Sequence, residues 1–254
     1  MRTTVVFNAK GGVGKTVTTI NMAAELAARG KRVVVVDADP QGNLTQFFGA
    51  DQDCGTLYEV LTGTGEPYYG DTLQDTQIDG VQILPASMDL ILADVRAIKE
   101  QSIRLTALHD LAVCMAEDDA ADVMLIDSPP SFTAATTAAL AAADDVIIPI
   151  KLDAFSLAGV GELLRQIAGM HEINPRLRVA GALVTMYDGT TVAKETMDAL
   201  IESAIPIFGT SIKRSTAVDR STFERKPLRE LPGTYAKLLA EQYAAVVDEY
   251  LRGG

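Results

Sequence analysis

The feature that most constrains the fold is a regular alternation of short apolar runs with longer helical patterns along the chain. Residues 32–37 contain four consecutive valines, a run typical of a parallel strand that is covered on both faces. Comparable runs at 122–127 and 145–150 are separated by an Ala- and Thr-rich helical segment. Strands separated by helices in this way favour βαβ units. The sequence therefore predicts an α/β fold, a doubly wound and mostly parallel sheet with helices on both faces.

The whole chain, residues 1–254, is predicted to form a single domain, because no repeat, low-complexity tract or linker interrupts it. Residues 63–80 are rich in Gly, Thr, Asp and Pro and are expected to form a loop. A last strand is expected near residues 208–212. The closing helix, 234–251, carries an apolar stripe, and we expect that stripe to pack against the sheet. The stripe consists of Tyr235, Leu238, Leu239, Tyr243, Val246, Val247 and Tyr250.

Composition limits the partners and the compartment. The formal charge is −12, so binding to a nucleic acid would have to rely on a local basic patch. The only two cysteines, Cys54 and Cys114, have no metal-like spacing and are expected to be buried thiols in a reducing compartment. No signal sequence and no bilayer-spanning run is apparent, which predicts a cytoplasmic protein without a membrane partner.

A glycine-rich loop lies between the first predicted strand and the first predicted helix. In this position glycines allow successive backbone N–H groups to surround phosphate oxygens, and the helix N-terminus favours negative charge. Lys15 would place a cation at the terminal phosphates, and the Thr16 hydroxyl would bind Mg²⁺. The nucleotide contacts predicted from this loop are Gly11, Gly12, Val13, Gly14, Lys15, Thr16 and Val17.

The loop departs from the usual Gly-x-x-x-x-Gly-Lys pattern at two positions. Ala9 stands where the first glycine is expected, and an additional lysine, Lys10, follows it. Since Lys10 comes too early in the loop to duplicate the role of Lys15, its charge is predicted to serve a facing subunit.

Carboxylates follow two of the predicted strands. Asp37 and Asp39 come at the end of the second strand, and Asp127 ends a later one. The carboxyl ends of parallel strands are the edge at which open α/β sheets bind their ligands. We expect Asp37 and Asp39 to bind Mg²⁺ or to orient an attacking water, and Asp127 to reach Mg²⁺ directly or through water.

Three blocks together resemble the ParA/MinD family of deviant Walker-A ATPases: KGGVGKT at 10–16, DADPQGN at 37–43 and LIDSPPS at 125–131. The likeness continues over nearly the whole chain and is closest to the short ParA (Soj-like) type. It implies ATP and Mg²⁺ as cofactors, hydrolysis of ATP, and a homodimer when ATP is bound. Lys10 matches the signature lysine that reaches the partner's nucleotide, and Gly11 matches a point of close approach between subunits. Asp39 matches the acid that positions water, with Asp37 and Asp127 near the metal.

The resemblance also implies partition or positioning of DNA, with a ParB-like stimulating partner and association with the nucleoid. The segment 213–230 is locally basic, and the candidate residues for non-specific double-stranded DNA are Lys213, Arg214, Arg220 and Arg225. Two arginines of the family pattern are replaced, by Thr190 and Ala217, and Val17 replaces a hydroxyl residue.

Smaller features of the sequence bear on which nucleotide base is bound and on which alternative functions are possible. Met186 and Lys213 are assigned to the nucleotide site, and the absence of a lysine from residues 185–188 favours adenine over guanine. A MinD-like regulator or an ATPase that positions protein cargo is the alternative function. The closing helix lacks the basic polar face of a membrane-binding helix, and the cysteines do not match an iron–sulfur carrier.

Overall fold

The computed structural model describes residues 1–64, 72–99, 102–153, 156–203 and 205–253. Within them, one seven-stranded sheet forms the centre of the molecule. Its strands are β1 (Arg2–Val6), β2 (Val33–Asp37), β3 (Gln74–Asp75), β4 (Val81–Leu84), β5 (Val123–Asp127), β6 (Asp145–Lys151) and β7 (Arg178–Thr185). Their order is β3-β4-β2-β5-β1-β6-β7, and every neighbouring pair is parallel except β3 with β4. The predicted fold class is confirmed.

Helices cover both faces of the sheet. They are α1 (Lys15–Ala27), α2 (Asn43–Phe48), α3 (Leu57–Thr62), α4 (Leu90–Lys99), α5 (Ala107–Glu117), α6 (Ala134–Ala142), α7 (Ser156–Gly169), α8 (Thr191–Glu202), α9 (Ala217–Glu224) and α10 (Thr234–Arg252). Alternate valines of β2 belong to separate cores: Val33 and Val35 pack with α1, α2 and α10, whereas Val34 and Val36 pack with α3, α5 and α6. Burial on both faces explains the uninterrupted apolar run.

The strand predicted near residues 208–212 is wrong. This segment runs beside β7 but makes only two isolated bridges, Ala182 with Ile207 and Tyr187 with Lys213. Between them, the Gly209 N–H and the Thr210 hydroxyl donate hydrogen bonds to the Glu249 carboxylate of α10. The Phe208 N–H donates a hydrogen bond to the Ala182 carbonyl and the Ile212 N–H donates one to the Val184 carbonyl. The segment therefore uses four residues where β7 uses two, and a continuous ladder with β7 does not form.

The loop predicted over 63–80 contains part of the sheet. The two-residue strand β3 pairs antiparallel with β4 at the edge of the sheet, and residues 65–71 of that loop lie outside the described residues. Three short helices, α2, α3 and α9, were also not predicted, since six to eight residues are too few for a clear 3.6-residue period.

Both cysteines are exposed, so their predicted burial is wrong. Cys114 lies on α5, whose buried residues are Ala107, Leu108, Leu111 and Met115, and it therefore falls on the outer face of that helix. Cys54 lies in an exposed turn, with its Sγ 3.4 Å from the Asp51 carboxylate.

The closing helix α10 packs on α1 and the sheet, as predicted from its stripe. Tyr243, Val246, Val247 and Tyr250 are buried, but the first residue of the stripe, Tyr235, is 70% exposed. The Tyr250 hydroxyl hydrogen-bonds to the Thr4 hydroxyl, and the Arg2 guanidinium lies 3.8 Å from the Tyr250 ring centroid. The helix is thus attached to the N-terminal end of β1.

We predict that Asp145→Ala destabilises the protein, because the buried Asp145 carboxylate accepts 2.6 Å hydrogen bonds from both Arg2 and Arg178. The two arginines are partly exposed, so we expect a loss of about 1–3 kcal/mol in free energy of unfolding, below the value for a fully buried pair. Urea denaturation measures it. The control Glu162→Ala, which removes the exposed Arg165–Glu162 pair, should cost less than about 1 kcal/mol. Equal losses for the two variants would contradict this assignment.

Candidate nucleotide site

The glycine-rich loop connects β1 to α1 at the carboxyl edge of the sheet. Gly12 and Gly14 have φ angles of 69° and 85°, in the left-handed region that favours glycine. Thr185, at the end of β7, donates a hydrogen bond from its hydroxyl to the Val13 carbonyl at 2.8 Å. Because the Val13 side chain is buried, only its backbone is available to a phosphate.

Lys15 begins α1 and is itself buried. Its Nζ donates hydrogen bonds to the carbonyls of Asn8 at 3.0 Å and Lys10 at 3.2 Å, so the ammonium lies inside the curve of the loop. Burial lowers the pKa of Lys15, and the nearby charges of Asp127 and Asp39 oppose that shift. A phosphate entering the loop would meet this desolvated cation.

The register of the sheet brings the two predicted metal-site carboxylates together. β2 and β5 are parallel neighbours, and Asp37 is paired directly with Asp127 at their carboxyl ends. Both residues are buried. The Thr16 hydroxyl donates a 2.6 Å hydrogen bond to Oδ2 of Asp127. The sequence could place each acid only at the end of its own strand, whereas the register makes them neighbours.

Asp127 has the properties of a cation ligand. Its Oδ1 is buried and has no hydrogen-bond partner among the described residues. Burial raises the pKa of Asp127 well above the usual range, and the charge of Asp37 raises it further. A divalent cation beside Oδ1 would relieve both effects. Among the described residues, no group of three or more His, Cys, Asp and Glu side chains could hold a metal, so the nucleotide and water would complete the shell, as is usual for Mg²⁺.

Asp37 is held by the start of α2. Its Oδ2 accepts hydrogen bonds from the backbone N–H and the hydroxyl of Thr45, at 2.8 and 2.7 Å, and its Oδ1 accepts one from the Asp39 N–H. Burial raises the pKa of Asp37 to about 6, although these hydrogen bonds act in the opposite direction. Both carboxylate oxygens of Asp37 thus accept hydrogen bonds from the protein, whereas Oδ1 of Asp127 has no partner among the described residues.

Asp39 lies in the turn that leads to α2 and is partly exposed. Its Oδ1 accepts a 2.9 Å hydrogen bond from the Gln41 N–H, and its carbonyl accepts one from the Gly42 N–H. The remaining carboxylate oxygen, Oδ2, is the atom that could accept a hydrogen bond from a water molecule.

Lys10 and Lys15 have different environments although they belong to one loop. Lys10 Nζ lies 2.6 Å from both carboxylate oxygens of Asp153, which follows β6. Lys15 Nζ contacts the loop carbonyls, as described above. In this arrangement Lys10 adds no charge to its own phosphate loop.

A cavity of about 590 Å³ opens beside the end of the phosphate loop. Four of its lining residues, Gly14, Val17, Met186 and Lys213, are predicted nucleotide contacts. Met186 adopts a φ of 52°, rare for a residue with a side chain, and its methyl group lies close to Gly14. The other lining residues are Thr185, Ile212, Arg214, Ser215, Thr216, Val218, Asp219, Tyr235 and Tyr243.

Sequence reasoning assigned several of these lining residues to other roles. Tyr235 and Tyr243 were expected in the helix core, and Arg214 was expected to contact DNA. Val218 and Asp219 lie on α9, the short helix that was not predicted. The spacing of residues far apart in the chain carries no signal for a shared cavity, so only the structure identifies them.

The basic segment is partly neutralised. Arg220 pairs with Glu224 at 2.5 Å, the Arg225 guanidinium lies against Gly49 at the end of α2, and Arg229 donates a hydrogen bond to the Ala24 carbonyl. Lys213, Arg214, Arg220 and Arg225 are all exposed. The structure brings Lys213 and Arg214 to the nucleotide cavity, whereas it leaves Arg220 and Arg225 outside that cavity.

Comparison with known proteins agrees with this site. A family model described as "AAA domain" matches residues 1–179. The chromosome-partitioning ATPase Soj of Thermus thermophilus is 38% identical over 257 residues, covering 98% of each chain. The chromosome partitioning protein ParA of Caulobacter vibrioides is 34% identical, covering 90% of this chain and 86% of its own. The chain belongs to the ParA/MinD family of P-loop ATPases.

A solved structure adds the cofactors. Cobyrinic acid a,c-diamide synthase from Mycobacterium smegmatis, with a bound ATP analogue and magnesium, is 33% identical and superposes with a TM-score of 0.83, covering 99% of this chain and 95% of that one. The predicted cofactors, ATP and Mg²⁺, and the predicted ATPase activity are therefore confirmed for this Soj-like member of the family.

We predict that Asp127→Asn stabilises the nucleotide-free protein at about pH 8 while reducing Mg²⁺-dependent hydrolysis at least about tenfold. The pKa of Asp127 is higher in the folded than in the unfolded state, so the native carboxyl loses stability as pH rises between those two values. The asparagine of the variant does not titrate in this pH range, so the stability of the variant relative to the native protein should decrease towards about pH 4. Each 1 kcal/mol in free energy of unfolding should shift Tm by about 2–4 °C.

Melting temperatures across this pH range test the prediction, and the control is Asp89→Asn, at an exposed carboxylate. An advantage that is the same at every pH would refute the assignment to the buried charge.

Proposed function

We propose that this chain is an ATP-dependent dimerising switch whose hydrolysis cycle drives the partition or positioning of DNA. The names of its relatives, a chromosome-partitioning ATPase and a chromosome partitioning protein, support this class of function. The observation that carries the proposal is the separation of the two loop lysines, because Lys10 is bound to Asp153 and not to its own phosphate loop.

In the proposed cycle, Lys10 leaves Asp153 and contacts the nucleotide of a facing subunit. Its charge would there neutralise the negative charge that develops during phosphoryl transfer, as an arginine finger does. Gly11 has open space around its Cα, since an added Cβ would meet no atom within 4 Å, and this suits a close approach between subunits. The switch is therefore a homodimer with two shared ATP sites.

Each site would bind ATP with the residues described above. The backbone of Gly11 to Val17 surrounds the phosphates, Lys15 supplies a fixed cation, and Asp39 orients the attacking water. Thr16 and Asp127 would hold Mg²⁺, with Asp37 orienting its water; the ion supplies charge neutralisation at the phosphates. Met186 and Lys213 would border the adenine end.

We predict that Asp39→Ala binds ATP and accumulates as a dimer, because it loses water positioning but keeps the phosphate loop. Lys10→Ala combined with Asp39→Ala should remain monomeric, and Lys15→Ala should bind no nucleotide. Light scattering after gel filtration, with ATP, with ADP and without nucleotide, measures the mass. One mass for Asp39→Ala in every nucleotide state would rule out the switch.

DNA binding is the finer part of the proposal, and its support is the exposed basic residues near α9. A single patch is small in a protein of formal charge −12, whereas a dimer presents two copies. Nucleotide-dependent dimerisation would then control affinity for double-stranded DNA without a change of fold. A ParB-like protein that stimulates hydrolysis and a nucleoid location belong to the same proposal.

We predict that the ATP-bound Asp39→Ala dimer binds double-stranded DNA without sequence preference. If about six phosphates are contacted, affinity should fall roughly a thousandfold between about 50 and 200 mM salt. Arg220 and Lys226 are exposed basic residues of the segment 213–230. Arg220→Glu with Lys226→Glu should abolish binding and keep ATP hydrolysis, because neither residue lines the nucleotide cavity. Arg214 is left unchanged because it lines that cavity.

The matched control is Arg165→Glu with Arg176→Glu, which changes the formal charge equally at exposed sites away from α9. Fluorescence anisotropy with a labelled duplex measures all three proteins. Equal loss of affinity in the control would assign binding to the overall charge. An ATP-bound dimer that ignores DNA at low salt would leave the alternative, a MinD-like regulator or a protein-cargo positioning ATPase.

For that alternative, the described residues include no helix long and apolar enough to cross a membrane. The apolar face of α10 is buried in the core and is therefore not available for insertion into a lipid surface.

A further inference from the structure

The closing helix contributes a wall to the nucleotide cavity. Tyr243 and Tyr235, both on α10, line the cavity. Tyr243 is 1% exposed, and its hydroxyl lies 3.4 Å from the Thr18 hydroxyl of α1. Gln242, also on α10, accepts a 3.1 Å hydrogen bond from the Lys213 N–H at its Oε1. The helix therefore supports the segment of the cavity that follows residue 211.

Tyr235 differs from the other two tyrosines of this helix. Tyr243 and Tyr250 are 1% and 2% exposed, whereas Tyr235 is 70% exposed. It lies seven residues before Gln242, which is close to two helical turns and about 10 Å along the axis, so both side chains leave the same face of α10. That face is directed at the segment that contains Lys213.

An exposed aromatic ring at the edge of a partly apolar cavity suits a flat ligand. The lining also includes the apolar side chains Val17, Met186 and Val218, and the volume, about 590 Å³, is within the range of small-molecule sites, about 300–1,000 Å³. The phosphate loop ends at the same cavity with Gly14. A nucleotide whose phosphates occupy the loop would therefore place its base in the cavity that these apolar side chains and Tyr235 line.

We propose that Tyr235 is a nucleotide-contacting residue that stacks on the purine and closes the base end of the cavity. The proposal rests on the nucleotide site assigned above and adds a contact from the C-terminal helix that sequence reasoning placed in the core. Stacking covers a hydrophobic ring that is otherwise left in solvent, and aromatic rings tolerate any base at such a position. Tyr235 would thus contribute affinity and would leave the choice of base to other groups.

The first experiment uses the absence of tryptophan from the chain. Tyr235→Trp introduces a single indole at the proposed contact, and its fluorescence should change when ADP binds and stay unchanged with inorganic triphosphate, which has no base. ADP is used so that the result does not depend on dimerisation. The control is Ile173→Trp, at a 55% exposed position. Ile173 precedes β7 and therefore lies at the amino ends of the strands, away from the phosphate loop at their carboxyl ends. Its fluorescence should not respond.

The second experiment measures ADP affinity by calorimetry. Tyr235→Ala should weaken ADP about 5- to 150-fold, the range for loss of one base–aromatic stack, and should leave inorganic triphosphate unaffected. Tyr235→Phe should retain the affinity, because it keeps the ring. Weakening of both ligands by Tyr235→Ala, loss of affinity in Tyr235→Phe, or an indole that responds to triphosphate as it does to ADP would each overturn the proposal.

An indole at position 235 that is silent while ADP binds would overturn it as well. The Lys15→Ala variant separates this result from failure of the nucleotide site itself. If Lys15→Ala still binds ADP normally, the assigned phosphate loop is wrong; if it does not bind ADP and the indole is silent, only the Tyr235 contact is wrong.

Discussion

The pairing of β5 with its two neighbours, β1 and β2, is the constraint on which the site depends. β1 delivers the phosphate loop, β2 delivers Asp37, and β5 delivers Asp127, and the parallel register ends all three strands at one edge. A shift of one residue would turn each side chain to the opposite face of the sheet. Burial of alternate valines in separate cores opposes such a shift, so the packing of the sheet holds the carboxylates in place.

That placement is electrostatically unfavourable as long as no cation is bound. Two buried carboxylates, Asp37 and Asp127, occupy paired positions on neighbouring strands, and burial raises the pKa of each. Thr45 and Thr16 donate hydrogen bonds that partly compensate, but Oδ1 of Asp127 stays without a partner among the described residues. A buried acceptor of this kind is costly unless a cation or a donor arrives. The protein therefore carries a local instability that binding of Mg²⁺ with ATP would remove.

The loop lysines and the closing helix relate this site to its surroundings. The Lys15 ammonium lies inside the phosphate loop, whereas the Lys10 ammonium is bound to the Asp153 carboxylate after β6. One motif therefore places one cation inside the loop and a second cation outside it. The helix α10 packs on α1, contributes Tyr235 and Tyr243 to the lining of the cavity, and accepts a hydrogen bond from the Lys213 N–H at Gln242. The same helix therefore serves both the core and the ligand site.

The sequence by itself determined the fold class, the phosphate loop and the identity of the acids, because each depends on local information. A run of four valines, a Gly-rich turn before a helix, and an Asp at the end of an apolar strand are readable within a few residues. Short elements such as α2, β3 and α9 could not be predicted in this way, since they have too few residues for a period to appear.

Only the tertiary structure decided which of these residues meet. The pairing of Asp37 with Asp127, the ion pair of Lys10 with Asp153, and the movement of Arg214 and Tyr235 from their expected roles to the nucleotide cavity depend on contacts between distant segments. The hydrogen bonds from Gly209 and Thr210 to Glu249, in a segment that does not pair continuously with β7, are of the same kind. Such contacts are set by the packing of α10 and the register of the sheet. They cannot be predicted from local sequence patterns, because the residues that meet are far apart in the chain.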